Sequence, residues 1–132
     1  MINWRSKKLV RKVTSSLAGE ALAMVATIGE VIYNRTILTQ IFGTEIERIP
    51  VIIYTDCRNL YDAVHSTSLV EDAWLVPDVA VIQEALEQGN VSCIKWVNNK
   101  DMLADCLTKS GASAVKLMNV VSTGHYECPN NK

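Results

Sequence analysis

Apolar and polar positions along this chain keep one period for a stretch, then switch, and each switch marks an element. From Ser15 to Gly43, Leu17, Ala21, Met24, Ile28, Val31 and Phe42 recur on one stripe at about 100° per residue, which predicts a long amphipathic helix. A serine opens it as a cap and Gly43 closes it. "VIIYT", residues 51–55, breaks that period with four consecutive apolar residues and reads as a strand covered on both faces. "CRNLYDAVHS" follows as a short helix, and "STSLVEDAWL" as a connection. "PDVAVIQEALEQG" predicts a helix with Pro77 early and Gly89 at its end. "VSCIKWV" is a strand rich in β-branched and aromatic residues, and "NNKDMLADCLTKSGASAVKLMNVVS" is helical with a break at Gly111. Ahead of the long helix, "INWRSKKLVRKVTS" reads as two short strands or a ragged hairpin turning at "SKK". Strands alternating with helices predict an α/β domain, and neither a repeat nor a low-complexity segment interrupts it.

Composition narrows the class. At 132 residues and 48% hydrophobic content, the chain is one domain's worth with ample core. A net charge of −1 gives no global pull toward nucleic acid or membrane, but Arg5, Lys7, Lys8, Arg11 and Lys12 crowd the start. That basic stretch serves either to contact phosphates or as a solvated hairpin edge whose lysines discourage pairing. Cys57, Cys93, Cys106 and Cys128 lack CxxC spacing and suit reduced thiols better than disulfides or zinc ligands. No unbroken apolar run approaches the ~20 residues of a membrane span, and no secretory signal is present. The expectation is a soluble intracellular domain, cytoplasmic or nuclear, without a membrane partner.

Three acids stand out from this background. Asp56 ends the first strand, where ligands gather in open α/β sheets, although it also suits the cap of the following helix. Glu20 lies about 40° from Met24 on the helical wheel, at the edge of the apolar stripe, while Glu30 points roughly opposite. Its alternative role is first-turn dipole stabilisation. Asp105 falls in the first turns of the helix after the second strand, where Asn99 or Asp101 already suffices as a cap; a solvated face is its other reading. Acids gathered at strand ends and helix starts of one small domain share a cation, and oxygen-only ligation suits Mg²⁺ or Mn²⁺.

The same residues carry a resemblance. "INWRSKKLVRKVTSSLAGEALAM", then "VIIYTDCRNLYDAV", then "GNVSCIKWVNNKDMLADCLTK" resembles the ribonuclease H domain that ends the copia-type retrotransposon Pol polyprotein. The shared pattern is Trp-x-Ser-Lys, a serine-rich helix start with a glutamate, a strand ending in aspartate, and Ala-Asp ahead of Leu-Thr-Lys. It spans about Ile2 to Tyr126, so the domain is taken as residues 1–126 with a polar, frayed tail over 127–132. The resemblance implies a ribonuclease H-like mixed sheet flanked by helices. It assigns Glu20, Asp56 and Asp105 to three of the family's four catalytic, metal-binding carboxylates, holding two Mg²⁺ or Mn²⁺ ions. It implies hydrolysis of RNA in RNA–DNA hybrids, with Arg5, Lys7, Lys8, Arg11 and Lys12 against the nucleic acid and the upstream reverse transcriptase part of the polyprotein as partner.

The family's first, central strand and its aspartate should lie upstream of Ile2, so the expectation is a domain truncated at its N-terminus, with activity weak or lost. The alternative is a non-catalytic nucleic-acid- or protein-binding module on the same fold. A phosphoacceptor role for Asp56 in a receiver-like domain ranks below both, because no acidic pair follows a first strand. Trp96 and Tyr54 read as core strand residues, Trp74 as packing a loop or helix start, and Trp4 as a hairpin anchor or a base-stacking surface. His65 and His125 receive no role.

Overall fold

The computed structural model describes residues 13, 15–43, 45, 49–67 and 73–127. Readings on Trp4, the basic residues Arg5, Lys7, Lys8, Arg11 and Lys12, Cys128 and most of the tail therefore lie outside the described residues. What is described is an α/β chain, mostly helical, around a small parallel sheet.

The long helix α1 (Ser16–Phe42) begins where the sequence places it: the Ser15 side chain accepts the Ala18 N–H at 3.1 Å. It ends on Gly43 at φ 60°, a left-handed conformation that glycine adopts without a Cβ penalty. Its core stripe runs through Ala18, Ala21, Met24 and Ile28 and then continues through Arg35 and Thr39. Phe42, expected on that stripe, is 71% exposed instead, because the helix outruns the core at its C-terminal end. By length and composition α1 could also reach across a membrane, with mean hydropathy 1.3 over an 18-residue window. Counting unbroken apolar runs missed this because polar residues interrupt the window.

Strand β1 (Ile52–Thr55) and strand β2 (Cys93–Trp96) pair in parallel, Ile53 opposite Ile94 and Thr55 opposite Trp96. A parallel pair needs a crossover, and α2 (Arg58–His65) and α3 (Val76–Glu87) supply it. Ile53, Thr55 and Ile94 are buried on one face, whereas Ile52 is 43% exposed and Lys95 is exposed on the other. This corrects the expectation of a strand covered on both faces: the apolar run alternates in burial. The covered face packs with Ala21, Met24 and Ile28 of α1, Leu60 and Val64 of α2, and Val79 and Ile82 of α3. Trp74 is 74% exposed, and Tyr54 and Trp96 are half-buried.

After β2, Asn98 caps a short 3-10 turn (Asn99–Asp101) by accepting the Lys100 N–H at 3.2 Å. The helical segment breaks at Gly111, as the sequence suggests, with φ 83°; before the break the helix is only the four-residue α4 (Asp105–Thr108), and a separate helix α5 (Val115–Thr123) follows. Cys57, Cys93 and Cys106 are free thiols.

Candidate functional site

The three acids come from three separate elements of the chain. Asp56 follows β1 directly. The first residue of α2's cap is Cys57, whose N–H is taken by Thr55 Oγ1 at 3.2 Å, so Asp56 does not cap the helix. Its backbone is pinned from the neighbouring strand, since Trp96 Nε1 donates to the Asp56 carbonyl oxygen at 3.1 Å. Asp105 opens α4, just beyond β2, with no side-chain cap at the preceding Ala104. Glu20 stands in the second turn of α1, between the buried Ala18 and Ala21.

Electrostatics tie them together. The Glu20 carboxyl is pushed above its ordinary value of 4.5. Although its side chain keeps an exposed flank, loss of water around the carboxyl is the largest cause; next comes the negative charge of Asp56, and that of Asp105 adds to it. Lys109 works in the opposite direction on Glu20. The Lys109 ammonium lies 2.8 Å from Asp105 Oδ2, and its own pKa is raised, first by that hydrogen bond and further by the charges of Asp105, Asp56 and Glu20. Glu20 and Lys109 thus both feel the charges of Asp56 and Asp105.

The donor chemistry suits a hard divalent cation, because all three acids offer carboxylate oxygens and the Asp56 carboxylate has no hydrogen-bond donor among the described residues. The spacing is looser than a ligand shell: no three Asp, Glu, His or Cys side chains among the described residues stand close enough to share one metal ion. Sequence reasoning missed Lys109 as a member of the group. Its signal was the i, i+4 spacing from Asp105, which places the two side chains on one helical face.

An aromatic and cationic rim flanks Asp56. The Arg58 guanidinium lies 5.2 Å from the Trp96 ring centre and 5.5 Å from that of Tyr61, and its Nε donates to both carboxylate oxygens of Asp62, at 3.1 and 3.2 Å. Tyr126 meets Tyr54 edge-on at 5.0 Å between ring centres. His65 Nδ1 lies 2.8 Å from the carbonyl oxygen of Tyr61, one turn earlier on its own helix.

No protein-family model, characterised protein or solved structure matches the chain.

Proposed function

We propose that this chain is a ribonuclease H-like domain of the copia-type retrotransposon class, acting with Mg²⁺ or Mn²⁺ on the RNA strand of RNA–DNA hybrids. The observation that supports the reading is that Glu20, in α1, feels the negative charges of Asp56, directly after β1, and of Asp105, at the start of α4. Glu20, Asp56 and Asp105 would hold the ions; a bound pair supplies an activated water and charge for the leaving oxygen. The strand end positions Asp56, the Trp96 hydrogen bond fixes its backbone, and Arg58 offers a cation to a phosphate at the rim. Arg5, Lys7, Lys8, Arg11 and Lys12 would add phosphate contacts, which position a nucleic acid without reading its sequence. The upstream reverse transcriptase part of such a polyprotein is the natural protein partner.

Activity of this chain is expected to be weak. Two-ion catalysis needs rigidly placed ligands, and a 1 Å misplacement already costs about 10²-fold. The looseness of the three acids and the Lys109–Asp105 ion pair also favour a second reading, a non-catalytic binding module on the same fold.

Hydrolysis of a labelled RNA–DNA hybrid in Mg²⁺ or Mn²⁺ separates these. Slow cleavage abolished by Asp56→Asn supports the nuclease. Hybrid binding without cleavage supports the module. A chain that neither binds nor cleaves the hybrid would overturn both.

A further inference from the structure

We propose that a groove along α3 is a docking site for a segment of another protein, one carrying an apolar side chain about four residues from a lysine or arginine. None of Glu20, Asp56 and Asp105 lines this groove, and the inference is independent of the reading above.

The groove holds about 680 Å³, within the size of ligand sites. Val76, Val79, Gln83, Leu86 and Glu87 line it, at the spacing of one helical face. They run the length of α3, which at 1.5 Å per residue makes the groove about 17 Å long. Val64, at the end of α2, adds a second wall. Gln83 Nε2 donates to the Val64 carbonyl oxygen at 3.1 Å, which ties the two helices together across the groove. About five residues of extended chain fit such a length.

The two ends differ in chemistry. Toward the start of α3 the lining is apolar, with Val79 buried and Val76 still 40% exposed. The other end carries Glu87, which has no hydrogen bond or ion pair among the described residues. No basic residue stands in the last turn of α3, where the negative end of the helix dipole lies. From residue 59 to residue 94 the chain has six Asp or Glu and no lysine or arginine. Arg35 reaches Asn90 just past α3, but it is buried and does not line the groove. A cation for this end therefore comes from the partner. The same carboxylates repel phosphate, which sets nucleic acid aside as the occupant. Val79 and Glu87 are eight residues apart on α3, about 12 Å, or three to four residues of an extended segment.

The test is amide chemical-shift mapping on the whole chain, with blocked glycine–serine heptapeptides carrying one leucine and one lysine at separations from two to six residues. Separations of three and four should bind tightest and move the signals of Val79, Gln83, Leu86 and Glu87 together. Glutamate in place of lysine should remove these shifts. Glu87→Gln should weaken the lysine peptides about two- to fivefold, the effect of losing an exposed ion pair. Ala80 is an exposed groove residue, so Ala80→Arg leaves the core intact while adding bulk and a cation, and should abolish binding. No shift with any peptide, an equal response to the glutamate peptides, or shifts outside the groove would overturn the site. Hexylammonium binding as tightly as the best peptide would also overturn it, by making the groove a site for small amines.

Discussion

Trp96 holds Asp56 from the adjacent strand: its indole Nε1 donates to the Asp56 carbonyl oxygen at 3.1 Å. The two residues lie one step apart in the parallel register, Trp96 opposite Thr55, so the bond closes the end of the sheet where the acids gather. Arg58 stacks over the same indole.

Trp96→Phe should keep much of the packing, lose the hydrogen bond and weaken the stacking with Arg58. The expected cost is about 0.5–1.5 kcal/mol for the hydrogen bond. Urea denaturation read by far-UV circular dichroism checks it, and an unchanged midpoint would mean that the strand end is held by other contacts.

Glu20 makes stability depend on pH in a definite direction. Its folded-state pKa is raised, so the folded protein favours the protonated carboxyl more than the unfolded chain does. Stability is then greatest below 4.5 in this respect, and is lost as pH rises through the raised folded value. Glu20→Gln should therefore melt higher than wild type at pH 7 and lose that advantage near pH 4. The exposed flank of Glu20 allows solvent screening, which holds the effect below about 1 kcal/mol. Melting curves across that range give the sign directly.

Arg35 lies buried at 7% exposure on the core side of α1, with Nη2 donating to Asn90 Oδ1 at 3.2 Å and Nε without a partner among the described residues. A buried donor left unpaired costs about 1–3 kcal/mol. Arg35→Met, which keeps the stem and drops the donor, should be neutral or stabilising. Asn90→Ala should destabilise by more, because it leaves a buried guanidinium with less compensation. Chemical denaturation of both variants tests this asymmetry; a large loss in Arg35→Met would reverse it.

Much of this architecture is legible from local chemistry. Ser15 and Gly43 bracket α1, the apolar runs at 51–55 and 91–97 contain β1 and β2, and Pro77 and Gly89 flank the ends of α3. Other features depend on what the folded chain places beside each residue. Phe42 belongs to the stripe by period, yet it projects past the end of the core, while Arg35 and Thr39 fall on the buried side because position outweighs polarity. Trp74 is apolar and still exposed. Glu20, Asp56 and Asp105 could be named from strand ends and helix starts, and the structure adds that Glu20 feels the charges of the other two. The i, i+4 spacing of Asp105 and Lys109 hints at their pairing, but only the single turn of α4, with Lys109 just after it, shows the ion pair itself.

The proposed function rests on Glu20, Asp56 and Asp105 attracting cations together, and paramagnetic broadening of backbone amide signals by substoichiometric Mn²⁺ tests it most directly. The prediction is joint early loss of the signals around Glu20, Asp56 and Asp105, reversed by excess Mg²⁺ and weakened in Asp56→Asn. Broadening confined to one of the three, or spread over unrelated surface acids such as Glu84 and Glu87, would contradict it.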